Sequence, residues 1–382
     1  MLIHVVKKGE TLSFLAGYYQ VPVWKIIYDN QIRLPDRLVP GQALLILGSP
    51  NETEAEKREK KLNLIPEGYA YPFTYQEYLR EAFSVLENLL SFSAGFSMEG
   101  ALYPPMDLGL RNLAEEYGVS VTLVLTPSDD TGIFSNELVS AVASQEEVQN
   151  RLVDELEVQV LTKNYRGVDV DFEYIRKEDK EGYISFVEKL TERMHQTGHV
   201  VSVALAPKIS DNQPGLLYEG VDYQRLGGIA DSVLLMTYEW GYTYGPPMAV
   251  APLHKVNQVV EYAVTRIPVE KIFMGIPNYA YDWVLPFERG KTKATTIGNE
   301  DAVQIAAENG ADIQFDETAQ SPWFRYTRNE IEHEVWFEDV RSIEAKLLLA
   351  SSYGLKGITY WNLLRPFRAN WLLLSEMLEL EK

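Results

Sequence analysis

The sequence predicts an α/β protein, a (β/α)8 barrel preceded by a small βααβ unit. From about residue 65 onward, apolar runs with strand spacing alternate with amphipathic helical segments, which is typical of parallel α/β sheets. Eight such strands, each followed by a helix or a turn, match the strand number of a closed barrel. Residues 49–64 are almost all polar or charged and predict a linker. We therefore expect a small domain at 1–48 that moves relative to a barrel at 65–382.

The elements of residues 1–48 are short. A strand is predicted at IHVV, a helix at TLSFLAGYYQ, a second helix at VPVWKIIYDNQ and a closing strand at ALLIL. The turn RLPDRLVPGQ precedes the closing strand. So short a unit is small for an independent core, but two helices can cover a two-stranded sheet.

Eight barrel strands are predicted in the rest of the chain. They are the runs 68–72, 89–96, 119–125, 167–173, 200–207, 232–238, 271–277 and 356–361. The predicted helices are 74–87, 107–117, 145–163, 179–197, 253–266, 339–353 and 368–380. Residues 284–337 are too long for a plain connection after the seventh strand. Their helix DAVQIAAENG and their strands ADIQFDE and EVWFED predict a small α+β excursion.

Composition and charge exclude several classes of function. The chain has 55 Asp and Glu against 35 Lys and Arg, a net charge of −20, which argues against binding nucleic acid through its phosphates. The absence of cysteine excludes disulfides, thiol nucleophiles and thiolate metal ligands. The histidines are scattered without metal-ligand spacing, so we expect neither a metal nor another cofactor. No apolar run is long enough to span a membrane, and no secretory signal is visible.

The run RGVDVDFEY, residues 166–174, carries the clearest chemical signal. Asp169, Asp171 and Glu173 alternate with apolar residues, so on a strand the three acids share one face, with Cα atoms about 6.6 Å apart. Carboxyl groups this close resist joint ionisation, and their pKa values separate. One interpretation is an edge strand with a solvated acidic face. The apolar residues opposite the acids favour the other interpretation, a packed strand whose acids share protons or do chemistry.

The ends of four predicted strands combine acids with large aromatic residues. The fourth strand ends in DFEY, the sixth in MTYEW, the seventh in PNYAYDW and the eighth in TYWN. In (β/α)8 barrels the active site lies at the carboxyl ends of the strands. Aromatic faces stack on the C–H faces of sugar rings, and carboxyl groups work as general acids. Any single aromatic residue more often belongs to the core, but four such strand ends together indicate a carbohydrate site.

Residues 1–48 resemble a LysM domain over their whole length. The resemblance lies in VVKKGETLSFLAGYY, in the Asn within IIYDN and in LVPGQALLIL. It implies binding to glycans that contain N-acetylglucosamine, such as peptidoglycan or chitin, in a groove between the loop after the first strand and the loop before the second strand. For the glycines in these loops, turn geometry is the alternative explanation. The glycan-binding residues implied are Gly9, Glu10, Thr11, Leu12, Asn30, Gln31 and Ile32.

Residues 68–380 resemble glycoside hydrolase family 18, the chitinase-like barrels. The family motif D-G-x-D-x-D-x-E corresponds to RGVDVDFE on the fourth strand, where Arg166 replaces the first Asp. The motif M-x-Y-D corresponds to MTYE on the sixth strand, where Glu239 replaces the Asp. The resemblance implies retaining, substrate-assisted hydrolysis, in which the acetamido oxygen of the sugar attacks the anomeric carbon.

The same resemblance implies a role for each site residue. Glu173 would protonate the leaving oxygen and later deprotonate water. Asp171 would bind the acetamido N–H and share a proton with Asp169, while Tyr238 would hold the acetamido oxygen. Trp361 would form the floor of the −1 sugar site. The further substrate-binding residues expected at the strand ends are Met236, Glu239, Trp240, Asn278, Tyr279 and Trp283.

The combination of a LysM-like unit with this barrel resembles the cortex-fragment-lytic enzymes of endospore-forming bacteria, as do the runs MTYEWGYTYGPPMAVAPL and GITYW. The resemblance implies an N-acetylglucosaminidase that acts on spore-cortex peptidoglycan during germination. It also implies a place in the spore coat, cortex or cell wall; the alternative location is the cytoplasm. A chitinase or chitooligosaccharide hydrolase is the alternative enzyme, and a lectin-like glycan-binding protein is the alternative class. Glu173 favours an enzyme, because non-catalytic relatives usually lose that acid.

Overall fold

The structure is a computed structural model that describes residues 1–49 and 61–380. Residues 50–60 of the predicted linker lie outside the described residues. In the described ranges, no helix is long and apolar enough to cross a membrane.

The N-terminal unit has the predicted βααβ order. Its elements are β1 (Leu2–Val5), α1 (Leu12–Tyr19), α2 (Val23–Asp29) and β2 (Ala43–Ile46), and the two strands pair antiparallel. Thr11 begins α1 as a cap, because its hydroxyl oxygen accepts a hydrogen bond of 3.2 Å from the backbone N–H of Phe14. Apolar side chains such as Leu15, Ile26 and Leu44 give the unit a small core of its own.

The rest of the chain continues from β3. The elements up to the seventh barrel strand are β3 (Ile65–Ala70), α3 (Gln76–Phe83), β4 (Asn88–Phe96), β5 (Leu102–Tyr103), α4 (Leu108–Glu116), β6 (Ser120–Leu125), α5 (Asn136–Ser144), α6 (Glu146–Lys163), β7 (Gly167–Val170), α7 (Lys180–Gln196), β8 (Val200–Leu205), α8 (Tyr223–Ile229), β9 (Ser232–Leu235), α9 (Leu253–Ala263) and β10 (Ile272–Pro277). The remaining elements are β11 (Ala280–Val284), β12 (Thr295–Ile297), α10 (Asn299–Asn309), β13 (Gln314–Asp316), β14 (Ser321–Arg328), β15 (Ile331–Trp336), α11 (Val340–Ser352), β16 (Gly357–Trp361) and α12 (Arg368–Met377).

Eight parallel strands form a closed barrel, which confirms the predicted fold. Their order is β3-β16-β10-β9-β8-β7-β6-β4, and β3 pairs with β4 to close the ring. Most apolar side chains of the strands and helices form one large core. A second cluster, which includes Tyr69, Phe92, Val124 and Phe273, takes one or two residues from each of several barrel strands.

The predicted excursion is present and begins slightly earlier than expected. Strands β11 to β15 form a five-stranded sheet in the order β12-β11-β15-β14-β13, with antiparallel pairing throughout. Helix α10 packs on this sheet, and the two share a small core that contains Ala302, Phe324 and Val335. The excursion therefore extends the barrel between its seventh and eighth strands.

Two helices were not predicted, and the fourth barrel strand is shorter than predicted. Helix α5 precedes α6, with Gln145 in an extended conformation between them, and α8 precedes β9. Strand β7 ends at Val170 rather than at residue 173. Asp171 and Glu173 therefore follow the strand, although the backbone N–H of Asp171 still donates a 2.9 Å hydrogen bond to the carbonyl of Leu125.

The N-terminal unit, which we expected to move relative to the barrel, is docked on the barrel and its excursion. Leu45 of β2 is fully buried in the large core of the barrel. Arg33 donates hydrogen bonds to Asp301 at 2.8 Å and to Gln304 at 2.7 Å, both on α10. Gly41 has a φ of +86° and leaves no room for a side chain, because a Cβ atom there would lie 1.8 Å from the carbonyl oxygen of Ile313.

Candidate active site

The three predicted acids lie at the carboxyl end of β7, and the deepest of them is Asp169. Its side chain is buried on the strand itself. The phenol of Tyr69, on β3, donates a 2.7 Å hydrogen bond to Oδ2, and the hydroxyl of Ser202, on β8, donates a 2.6 Å hydrogen bond to Oδ1. Burial raises the pKa of Asp169, and these two hydrogen bonds oppose the rise.

Asp171 lies one step closer to the barrel mouth. Its side chain is buried, and its Oδ1 has no hydrogen-bond partner among the described residues. Burial, followed by the charges of Glu173 and Asp169, raises the pKa of Asp171 well above its usual value. A buried carboxyl oxygen without a donor is costly, so this atom is suited to accept a hydrogen bond from a bound molecule.

Glu173 is half-buried at the rim of the site. Burial raises its pKa, and the nearby charge of Glu239 adds to the rise. Phe172, between the two acids, points the other way and stacks on Phe96 and Phe186. The alternation predicted from the sequence therefore holds, because the apolar residues anchor the segment while the acids face the site.

Tyr238 follows β9 and is buried, with its hydroxyl pKa raised by burial and then by the charges of Asp171 and Glu173. Gly275 on the neighbouring strand makes room for its ring, since a Cβ atom there would lie 2.7 Å from Cε1 of Tyr238. The charges of Asp171 and Glu173 therefore act on the hydroxyl of Tyr238.

Glu239 is held by two tyrosines of the excursion. The hydroxyl of Tyr279 donates a short hydrogen bond to its Oε1, and the hydroxyl of Tyr281 donates to the same oxygen at 3.0 Å. Glu239 is exposed as a whole residue, but the surroundings of its carboxyl group are partly closed to water. This desolvation raises the pKa of Glu239, and the two hydrogen bonds oppose the rise. Its φ of +66° is unusual for a residue other than glycine, and such backbone geometry is concentrated at functional sites.

An aromatic floor lies on the side of the site formed by β16, β3 and β4. Trp361 packs edge to face against Tyr69 at 5.2 Å and Phe92 at 5.0 Å between ring centroids. Tyr71 lies beside both Phe92 and Trp361. Met236 also packs against this cluster. Trp361, the predicted floor of the sugar site, therefore belongs to this aromatic cluster, and Tyr69 links it to Asp169.

A pocket of about 450 Å³ opens on the other side of Glu173. We call it the leaving-side pocket; its lining residues are Glu173, Tyr174, Pro207, Leu217, Tyr218, Met236, Tyr238, Glu239, Trp240 and Tyr242. They come from the segments that follow β7, β8 and β9. Trp240 and Met236, which were predicted to contact substrate, both line this pocket.

Two predicted substrate-binding residues are placed differently. Trp283 is fully buried, and its indole N–H donates a 2.8 Å hydrogen bond to the carbonyl of Gly245, so it supports the loop after β9. Asn278 is buried too, and its Nδ2 donates to the carbonyls of Asn362 at 3.0 Å and Arg365 at 3.1 Å. The full burial of Trp283 excludes contact between its side chain and a substrate in this conformation, whereas the buried Oδ1 of Asn278 has no hydrogen-bond partner among the described residues. Tyr279 is also buried and acts on the site through Glu239.

The predicted glycan groove of the N-terminal unit is only partly open. Gly9 and Thr11 are exposed, and Glu10 accepts a 2.7 Å hydrogen bond from the backbone N–H of Lys7. Leu12 is buried in the core of the unit, so its predicted contact through the side chain is wrong.

The second half of that groove faces the barrel. Asn30 is buried, and its amide bonds the backbone of Ile26 and Leu45, so its side chain is not available to a glycan. Gln31 accepts a 2.7 Å hydrogen bond from the backbone N–H of Arg368. Ile32 packs against the core of the unit. The loop that contains these residues lines a narrow crevice against α10.

Arg166, the departure from the family motif, lies just before β7 and is exposed at the amino end of the barrel. It is therefore at the opposite end of the strand from Glu173. The residues that the sequence analysis missed are Tyr69, Tyr71, Phe92, Ser202, Tyr174, Leu217, Tyr218 and Tyr242. For the aromatic ones, the only sequence signal was a position near a strand end, which does not distinguish a site residue from a core residue; Ser202 and Leu217 had no signal.

Comparisons with known proteins agree with the fold. A family model described as glycosyl hydrolases family 18 matches residues 117–365, and a LysM domain model matches residues 4–46. The chain is 38% identical to the cortical fragment-lytic enzyme of Bacillus subtilis over 428 residues, which cover 100% of this chain and 99% of the relative.

Solved structures with similar folds belong to the same class of enzyme. The spore cortex-lytic enzyme SleL of Bacillus megaterium superposes with a TM-score of 0.92 at 33% identity, covering 99% of this chain and 98% of that chain. A chitinase from Chromobacterium violaceum, at 24% identity and a TM-score of 0.75, covers 82% of this chain and 98% of its own and shares the fold. The chain therefore belongs to glycosyl hydrolases family 18, and it is a glycosidase with an N-terminal LysM domain.

Proposed function

We propose that this protein is a retaining N-acetylglucosaminidase that cleaves spore-cortex peptidoglycan by substrate-assisted catalysis and works during germination. The relatives named as cortical fragment-lytic and spore cortex-lytic enzymes support the substrate, because their similarity extends over nearly the whole chain. The arrangement of Asp169, Asp171 and Glu173 supports the chemistry. Peptidoglycan supplies the N-acetylglucosamine unit whose acetamido group this mechanism requires.

The observation that carries the proposal is the buried, unpartnered Oδ1 of Asp171 beside Glu173. An acetamido N–H of a sugar above Trp361 would give this oxygen the donor it lacks. The same hydrogen bond would turn the acetamido oxygen toward the anomeric carbon, where the hydroxyl of Tyr238 can hold it. The positive charge that develops on the acetamido group during attack is then stabilised by the carboxylate of Asp171.

Glu173 supplies the proton for the leaving oxygen. Its raised pKa keeps a larger fraction of the carboxyl protonated near neutral pH, as a general acid requires. After the first step the resulting carboxylate accepts a proton from the attacking water. Because the acetamido oxygen and then water displace groups at the same carbon, configuration is retained.

Asp169 completes the proton chain. Both of its oxygens accept hydrogen bonds, so it can remain charged while Asp171 is protonated in the free enzyme. When Asp171 turns toward the acetamido N–H, the proton can pass to Asp169. Two adjacent acids that share one proton are favoured by the mutual repulsion of their charges.

We further propose that the LysM domain holds the enzyme on insoluble glycan through the exposed loop that contains Gly9, Glu10 and Thr11. The unit is docked on the barrel through other residues, such as Arg33 and Gln31, so this loop stays accessible to a glycan. This supports association with the spore cortex or cell wall.

Product analysis on purified cortex fragments tests the proposed function. Incubation of the full chain with these fragments and with chitooligosaccharides should release products with N-acetylglucosamine at the new reducing end. Mass spectrometry after borohydride reduction identifies that sugar. Products that end in muramic acid instead would contradict the N-acetylglucosaminidase assignment, and faster cleavage of chitooligosaccharides than of cortex would favour the chitinase alternative.

A further inference from the structure

A large pocket opens at the amino end of the barrel, opposite the end that carries Glu173. Its volume is about 770 Å³, and the segments that precede β6, β7 and β8 form it together with the carboxyl-terminal turns of α4 and α6. We call it the basic pocket. Because it lies at the other end of the barrel strands, the proposed hydrolysis does not use it.

Most of the ionisable residues in the basic pocket are bases. Its lining includes Arg111, Lys163, Arg166 and His199, whereas the acid among its lining residues is Glu115. The chain as a whole has a net charge of −20, so an average position on its surface repels anions. The basic pocket is therefore a local reversal of the charge of the protein.

Arg111 forms a fixed wall of the basic pocket. Its Nε donates a 3.1 Å hydrogen bond to the buried carboxyl group of Asp107, and its Nη1 donates a 3.1 Å hydrogen bond to the carbonyl of Lys163 at the end of α6. Its guanidinium also lies over the ring of Tyr165, 5.5 Å from the centroid. These contacts join α4 to α6, so the pocket is already formed before a ligand binds, which lowers the cost of binding.

Lys163 and Arg166 are the cations of this pocket that remain available to a ligand. Within residues 1–49 and 61–380, neither side chain forms an ion pair or a hydrogen bond. The backbone of Arg166 is nevertheless fixed, because its N–H donates a 2.7 Å hydrogen bond to the carbonyl of Val121 and its carbonyl accepts one of 3.3 Å from Val200. Two cations on one short, anchored segment without a counter-charge attract an anion.

A further cation lies near Arg166, outside the pocket lining. Burial lowers the pKa of the Lys356 ammonium, and the charge of Arg166 lowers that pKa further, so the two cations are close enough to repel each other. The charge of Glu67 acts on both, but this acid is buried inside the barrel, where it accepts hydrogen bonds from Asn88 and Thr359. It forms no ion pair with either cation among the described residues, and an external anion can supply the missing charge.

We propose that the basic pocket binds a phosphate group, either as inorganic phosphate or as the phosphomonoester of a small organic molecule. A phosphate group carries up to two charges and several acceptor oxygens, so it can accept charge-assisted hydrogen bonds from Lys163 and Arg166 together. The guanidinium of Arg166 matches its oxygens in a bidentate manner. The pocket is larger than a free phosphate requires, which leaves room for an organic group beside Val119 and Val121.

Calorimetric titration of the full chain at low ionic strength tests the inference with four compounds: inorganic phosphate, glycerol 3-phosphate, glycerol and acetate. We expect at least one phosphate compound to bind with a Kd of about 1 mM or below, and glycerol and acetate to bind at least about tenfold more weakly. Tighter binding of glycerol 3-phosphate identifies the ligand as a phosphomonoester, and tighter binding of inorganic phosphate identifies it as the free ion. Failure of both to bind, or equal binding of acetate, would overturn the inference.

Substitutions of single cations locate the binding. Arg166→Gln and Lys163→Gln should each raise the Kd for the phosphate compound about tenfold, because each removes one charged donor. Arg151→Gln is the matched control: Arg151 also lies on α6, but it is exposed, pairs with Glu155 at 3.1 Å and is not part of the pocket lining. It removes the same charge and should leave the Kd within about twofold. Equal weakening in all three variants would mean that only net charge matters, and would overturn the assignment to this pocket.

Turnover of chitooligosaccharides separates this inference from the proposed function. Arg166→Gln and Lys163→Gln should hydrolyse these substrates at the rate of the unmodified chain, since both residues lie at the end of the barrel opposite Glu173. Retained turnover also shows that the variants are folded, so a loss of phosphate binding then belongs to the pocket. Loss of turnover and of phosphate binding together in both variants would show a general structural role for these cations, and would overturn the inference.

Discussion

The phenol of Tyr69, on the first barrel strand, donates a 2.7 Å hydrogen bond to Asp169, on the fourth. The same ring packs against Trp361 at 5.2 Å between centroids. One residue thus connects the floor of the sugar site to the acid beneath the catalytic pair. It acts through Asp169 and the floor, so its role is in positioning.

Tyr69→Phe should lower kcat about tenfold with a small change in KM, because it removes the hydrogen bond that favours the charged form of Asp169. Tyr183→Phe is a matched control, since the buried hydroxyl of Tyr183 has no hydrogen-bond partner in the part of the chain that the structure describes. Steady-state kinetics on chitooligosaccharides measures both. Equal losses in the two variants would show that any buried tyrosine hydroxyl near this strand matters, and would contradict the specific role of Tyr69.

Glu173→Gln should reduce hydrolysis by at least about 100-fold while leaving glycan binding within a few-fold, because only the transferable proton is lost. Calorimetric titration with a chitooligosaccharide measures binding, and reducing-end release measures turnover. Near-normal turnover in this variant would refute the assignment of the acid.

Glu239→Gln should move the alkaline limb of the pH–rate profile to lower pH. The charge of Glu239 raises the pKa of Glu173, so its removal lets Glu173 lose its proton at lower pH. Activity that requires protonated Glu173 is then lost earlier as pH rises. The pH dependence of kcat/KM checks this, and an unchanged or upward-shifted alkaline limb would count against coupling of the two acids.

Lys208→Met should raise KM about tenfold with less effect on kcat. The change leaves three backbone carbonyls without their donor, and it thereby releases the loop that places Leu217 and Tyr218 in the leaving-side pocket. Lys271→Met is the control. Lys271 also donates to three backbone carbonyls, those of Gly227, Gly228 and Ala230, but it does so before β10, away from the pocket. If both variants raise KM alike, the effect is general destabilisation.

Glu67→Gln should make the protein more stable at alkaline pH. Glu67 is buried on β3, where it accepts hydrogen bonds from Asn88 at 3.1 Å and Thr359 at 2.8 Å, and burial raises its pKa from 4.5 to about 7. Because the unfolded chain releases this proton first, stability falls as pH rises from roughly 4.5 to 7, by up to about 3 kcal/mol. A glutamine does not titrate, and Thr359 can accept a hydrogen bond from its amide.

Urea unfolding at pH 5 and pH 8 measures the effect of Glu67→Gln. The fall in unfolding free energy between these two pH values should be smaller in the variant than in the unmodified chain. The same fall in both would mean that Glu67 is not the group responsible.

Local patterns were enough to predict much of the site. The alternation of Asp169, Asp171 and Glu173 with apolar residues needs no knowledge of distant contacts, because strand geometry alone places alternate side chains on one face. The strand-end position of Tyr238 and Trp361 follows from the same reasoning together with barrel topology. The order of strands and helices likewise follows from hydrophobic periodicity.

The sequence by itself thus determined the barrel, the acidic strand and the LysM unit, since each rests on spacing within a short segment. Only the tertiary structure decided which aromatic residues line the site. Tyr69 reaches Asp169 across 100 positions of sequence, Trp283 is buried beneath a loop, and Asn30 is used by the backbone of its own unit. These outcomes depend on how the barrel closes and on what docks against it, and contacts between distant residues leave no periodic trace in the chain.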